Sequence, residues 1–320
     1  MKRFMKPAVT FGLAAMLLGA PSVPGMTNFD LTNPVMSTAS AAAQVPGARI
    51  MEIVPLNQGE VTVTEYGDIK VHAFRTGDAL SDECYALESD QGLVLIEATI
   101  MKDDMTAWKG YLDKLGKPIA GAFMAYHPNG YERLGDVPIL ATEKALTNWQ
   151  PSGAIYGISS GLSNAFGDAA DGMMPAASDV TRVLRDGETV TLAGIDVKVL
   201  ASHDDAYTLE IPALNAVYRH MMGSHVHSIL ASRDYIRNEI RELQTYQKSG
   251  YTLILTSHYV PEGREAVTTK LDYLKTALTF AETCPDGASF KAAMQKAFPN
   301  YEDVKYLDMS VQSLYPTTAE

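Results

Sequence analysis

The chain has 320 residues, 46% of them hydrophobic, and a formal net charge of −12. This is an ordinary globular composition, long enough to bury a full core in one large domain or two small ones. The acidic excess gives a surface that repels nucleic acid and anionic lipid, so neither is an expected partner.

At the N-terminus Lys2, Arg3 and Lys6 precede the apolar stretch AVTFGLAAMLLGA, and a small-residue cluster, STASAAAQVPG, follows further on. That order reads as a secretory signal over residues 1–43, with cleavage after Ala43. The apolar stretch is shorter than the roughly 20 residues a spanning helix needs. The segment carries Lys2, Arg3, Lys6 and Asp30, so its removal leaves 23 basic and 37 acidic residues, a formal −14. The expected protein is therefore exported, periplasmic or secreted, with no membrane span after processing. Its two cysteines, Cys84 and Cys284, are compatible with one disulfide or with two unpaired buried thiols.

Alternation and β-branching predict strands in RIMEIVPL (49–56), EVTVTEYG (60–67) and IKVHAFRT (69–76). CYALES and GLVLIEAT flank Asp90, Gln91 and Gly92 and read as a hairpin of buried strands. In MKDDMTAWKGYLDKLG, Met105, Trp108, Leu112 and Leu115 share a helical face that stops at Gly116. AGAFMAY returns as a strand, His127–Gly135 is a loop, and VPILATEKALTNW is a strand running into a helix. Residues 151–176 carry five glycines with apolar side chains at Ile155, Tyr156, Ile158, Leu162 and Phe166. They read either as a packed flap or as a short irregular helix pair covering a sheet edge. Beyond them come the hairpin GETVTLAGIDVKVLAS, the strand pair YTLEIPALNAVY, a helix over RDYIRNEIRELQTYQKSG, the core strand YTLILTS and a helix in EGREAVTTKLDYLKTAL. The rhythm is α/β, within a single domain over 44–320.

Three apolar runs end at a histidine: GAFMAYH at His127, VKVLASH at His203 and TLILTSH at His258. Strand ends converge at a sheet edge, where sheet proteins assemble sites from several segments. Three imidazoles with a water in the fourth position make a zinc site able to bring the pKa of that water toward about 7. His225 and His227 in YRHMMGSHVHSIL point the same way on an extended segment, and either could fill a ligand position ahead of His220. Asp204 and Asp205 follow His203 as acceptors that could orient imidazoles. Tyr126, Tyr131 and Tyr259 flank the histidines and could polarise a carbonyl or bind an anion, while His72 receives no role.

From Cys84 to Leu278 the chain resembles the metallo-β-lactamase fold superfamily. CYALESDQGLVLIEAT is similar to its opening hairpin, and AFMAYHPNG sits where that family carries an H-x-H-x-D-H loop. The run from Asp186 to Tyr218 is similar to the hairpin holding its next histidine, and LILTSHYVPEGREAVTTKLDYL to its last ligand strand and helix. The resemblance implies an αββα sandwich, two mixed β-sheets packed face to face with helices on the outer faces, and a metal-dependent hydrolase. It also places Glu97 where the family keeps a carboxylate that supports the ligand loop. The loop is degenerate, with Ala125, Asn129 and Gly130 at three ligand positions and Met221 near the bridging aspartate position. Only His127, His203 and His258 match residue by residue, which implies a mononuclear zinc site rather than a dinuclear one. The expected substrate is a small ester, lactone, amide or sulfate ester, uncharged or amphipathic, held under the 151–176 flap. The expected catalytic group is His127, His203, His258, Tyr126 and Asp204, with His225 or His227 as a further ligand. The alternative is a metal-free degenerate member that uses the cleft to bind a ligand or partner.

Overall fold

The computed structural model describes residues 48–78 and 80–316. The candidate signal segment 1–43 lies outside them. Among the described residues no helix is long and apolar enough to cross a membrane.

Strands β1 (Arg49–Pro55), β2 (Glu60–Tyr66), β3 (Ile69–Arg75), β4 (Glu83–Glu88), β5 (Leu93–Ile96), β6 (Ile119–Phe123), β7 (Ile139–Thr142) and β8 (Val180–Leu184) form one sheet in sequence order. Its first five strands are antiparallel, and β5 to β8 run parallel. The change of direction follows from the connections, because β4 and β5 are joined by a tight turn and β5 and β6 by helix α1 (Lys102–Leu115). Gly116 ends α1 in the left-handed region at φ 64, where a side chain would be strained. Helices α2 (Glu143–Asn148) and α3 (Ala154–Phe166) lie between β7 and β8.

The second sheet has the order β14-β13-β12-β11-β10-β9, with β9 (Thr189–Leu192), β10 (Ile195–Ala201), β11 (Tyr207–Ile211), β12 (Ala216–Arg219), β13 (Leu253–Thr256) and β14 (Glu262–Gly263). It is also mixed, since β12 and β13 are parallel and joined through α4 (Arg233–Ser249). Helices α5 (Arg264–Thr283), α6 (Gly287–Ala297) and α7 (Val304–Leu314) follow.

Period-two alternation decides which layer each strand residue enters. Tyr218, Leu253 and Leu255 point into a core shared with Tyr85, Leu87, Ile96 and Phe123 of the first sheet. Val217 and Ile254 point the other way, into a second core with Ile236, Leu243, Leu271 and Phe290 of α4, α5 and α6. On the far side of the first sheet, Trp108 of α1 stacks on Phe74 at 5.3 Å. The layers are thus helix, sheet, sheet, helix.

The strands and helices read from the sequence occur at their expected places. Helices α6 and α7 and strands β8 and β14 are additional. The 151–176 segment is mainly the helix α3, followed by a single turn at Gly167–Ala169. Cys84 is buried in β4 and Cys284 lies after α5, and both are free thiols rather than a disulfide.

Candidate metal centre

His127 follows β6, His220 follows β12 directly, and His258 follows β13. These three parallel-running ends meet at one edge of the sandwich. The Nε2 of His220 lies 3.1 Å from Nε2 of His127 and 3.1 Å from Nε2 of His258. One ring nitrogen from each of the three falls within 4.8 Å of the others, and among the described residues this is the group arranged to hold a metal ion.

Behind the rings sits Asp82, 3% exposed, at the entry of β4. Its Oδ1 lies 3.3 Å from Nδ1 of His258 and 3.7 Å from Nδ1 of His127. Burial works to raise the Asp82 pKa, but the facing His127 and His258 imidazoles outweigh it and hold the carboxyl below the usual range. An ionised Asp82 favours a proton on the nearer Nδ1, that of His258, which leaves Nε2 of that ring as a lone pair. His220 Nε2 can then supply one proton, to one neighbour only. Burial lowers the pKa of His127 and takes that of His220 well below the ordinary value, which disfavours extra protons on those two rings. A divalent cation at the centre would accept a lone pair from each of the three rings. Zinc at about 2.0–2.1 Å from each nitrogen in a tetrahedral arrangement would separate neighbouring donors by roughly 3.3 Å, close to the spacing found. The donor set therefore fits one zinc, with soft preference also for other imidazole-loving metals.

Two further residues fix the ligand loop. Glu97, fully buried after β5, accepts hydrogen bonds from the backbone N–H of Ala125 (3.2 Å), Tyr126 (2.9 Å) and His127 (2.9 Å), and from Tyr218 Oη at 2.6 Å. The side chain of Tyr126 stacks flat on His220 at 4.1 Å, and its hydroxyl accepts from the N–H of Ala206 at 3.0 Å. The Tyr126 ring thus bridges the triad to the turn after β10.

His203 is not brought to the triad. Its Nε2 lies 2.7 Å from Glu239 Oε1, and Arg219 Nη2 donates to both oxygens of that carboxylate at 2.8 and 2.9 Å. Burial opposes charge on His203, but the Glu239 bond prevails and raises its pKa. A ring committed to a carboxylate and favoured as imidazolium has no lone pair on that nitrogen to offer a metal. Asp204, beside it, is pushed up to about 6 by burial and then by the Glu239 carboxylate. His225 bonds to Ser224 Oγ at 2.9 Å, and His227, 1% exposed, to Tyr273 Oη at 3.2 Å, so neither joins the three rings. The Tyr131 hydroxyl donates to Asp179 and that of Tyr259 to Asp303. His72 is held between Glu88 and Tyr111 in the first sheet.

A cavity of about 420 Å³ opens beside His220. Ile155 and Ile158 of α3 line it, as do His203, Asp204 and Tyr235.

Sequence reasoning set His220 behind its neighbours although AVYRH ends an apolar run on a histidine just as the other three do. Asp82 carried a weaker signal, an acidic pair opening an otherwise apolar strand in SDECYALES.

No family model and no curated protein sequence matches the chain. Among solved structures it is similar to the stereoselective inverting sec-alkylsulfatase Pisa1 from Pseudomonas sp., with TM-score 0.52 and 14% identity, covering 77% of this chain and 48% of that one. A double mutant of the same sulfatase aligns with TM-score 0.54 at 14% identity over the same 77% and 48%. The chain has the metallo-β-lactamase fold. It spans about half the length of the sulfatase it matches. A metallo-β-lactamase family protein from Thermus thermophilus aligns at 15% identity over 84% of this chain and 92% of its own, with TM-score 0.47.

Proposed function

We propose that this metallo-β-lactamase-fold chain is a metal-dependent hydrolase with a single metal held by His127, His220 and His258. The observation that carries the reading is the convergence of three imidazole nitrogens backed by the buried Asp82 carboxylate. Zinc at such a site would polarise a bound carbonyl or sulfuryl oxygen and bring the pKa of a coordinated water toward about 7. Asp82 lies behind both His127 and His258 and favours the His258 tautomer that offers Nε2. Tyr126 fixes the plane of His220, and Glu97 fixes the loop from Ala125 to His127. The apolar side chains of Ile155, Ile158, Leu230 and Leu274 in the cavity lining favour an uncharged or amphipathic ester, lactone, amide or sulfate ester. Asp204, pushed up to about 6 by burial, lines the same cavity and is the group we assign to give a proton to a departing group. The basic and apolar N-terminal stretch supports export to the periplasm or medium.

The test is elemental analysis of protein expressed with its own N-terminal segment and purified without chelator or affinity metal. About one zinc, iron or manganese per chain, lost in His220→Ala, is the expected result, followed by a screen over the four bond types. No metal and no uptake on reconstitution would overturn the reading in favour of a metal-free binding protein.

A further inference from the structure

Lys270 of α5 is 2% exposed and lines the cavity that His220 borders. Its Nζ donates to the Val226 carbonyl at 2.9 Å and to Ser228 Oγ at 3.0 Å, and lies 4.9 Å from the centre of the Tyr273 ring. Both acceptors are neutral. A neutral primary amine has two N–H groups and one lone pair, so these two bonds use both hydrogens and leave the pair for a third direction. Ammonium in the same place would carry a third N–H and a charge removed from water.

Burial favours the neutral form, while the Tyr273 ring favours the charged one. Burial dominates and brings the Lys270 pKa down to about 7. Glu262, Glu239 and Asp303 favour the charged form and Arg219 opposes it, and together they do not offset burial. The wall that Lys270 shares with Ile155, Ile158, Leu230 and Leu274 would take an aliphatic chain.

We propose that Lys270 is a nucleophilic amine that captures apolar aldehydes in this cavity as reversible imines. The Nζ lone pair attacks the carbonyl carbon, a C–N bond forms, and the carbonyl π pair moves to oxygen. The two amine hydrogens pass to that oxygen, which leaves as water as the C=N bond forms. Amine and aldehyde thus give imine and water with no oxidant or reductant. This chemistry is separate from the hydrolase reading and does not involve the three histidines.

The experiment is reductive trapping on the intact protein near pH 7, with hexanal and sodium cyanoborohydride, followed by peptide mass mapping. Lys270 should be alkylated at least about tenfold faster than exposed lysines such as Lys114 and Lys275, because its neutral fraction exceeds theirs by far more than its lower basicity reduces reactivity. Moving to about pH 9 should raise labelling at the exposed lysines much more than at Lys270. Prior chelator treatment should leave the Lys270 product unchanged, which separates this result from loss of metal. Lys270→Met, checked for folding by its thermal transition, should lose that product alone. Alkylated Lys114 beside unmodified Lys270 in the wild-type map would overturn the proposal, and that map decides the matter even if the variant does not fold.

Discussion

Asp82 Oδ1 lies 3.3 Å from Nδ1 of His258 on the side of the ring away from the metal-facing nitrogen. One buried carboxylate thereby faces an imidazole that arrives from the other sheet, and His127 stands 3.7 Å from it. Asp82→Asn keeps the volume and removes the charge. Its metal affinity should fall about 10–100-fold, read by competition with a chromophoric chelator, while the variant stays folded. Unchanged affinity would mean that the carboxylate does not orient the rings.

His203 and His220 separate the ligand set expected from the chain from the one the fold assembles. His203→Ala should retain metal at the wild-type stoichiometry, and His220→Ala should lose it. Metal analysis of the two variants side by side gives the answer, and a metal-free His203→Ala would return that residue to the ligand set.

Glu97 accepts four hydrogen bonds in a site closed to water. Glu97→Ala strands three backbone N–H groups, while the Tyr218 hydroxyl keeps Ser257 Oγ at 2.6 Å, and should cost about 3–5 kcal/mol in urea unfolding. A loss below about 1 kcal/mol would show that water or a shifted loop replaces the carboxylate.

Glu83, 1% exposed, is pushed up to about 8 by burial, against the pull of Arg75 and Tyr85. In the unfolded chain this carboxyl loses its proton near pH 4.5, whereas the folded protein keeps it until about pH 8. The unfolded state therefore binds fewer protons across that interval, and the contribution of Glu83 to stability declines as pH rises from about 4.5 to 8. Glu83→Gln cannot ionise and should remove this decline, so its advantage in thermal midpoint over wild type should be larger at about pH 8 than at about pH 5. Equal differences at both values would contradict the raised pKa.

The sequence by itself determined the periodic elements and their order, because period-two alternation and the stops at Gly116 and Gly250 act over a few neighbouring residues. It also determined that histidines such as His127 and His258 end strands, and a family resemblance located the edge where such ends collect. Only the tertiary structure decided which histidines share a point. His203 follows β10, two strands from β12, and there α4 presents Glu239 already paired to Arg219, so the ring turns to that carboxylate. His220 stands directly after β12, between the ends of β6 and β13, and Tyr126 holds its plane. Asp82 and Lys270 were out of reach for the same reason. An aspartate at a strand entry and a lysine on an amphipathic helix are ordinary in a sequence, and their chemistry comes from the neighbours that burial gives them.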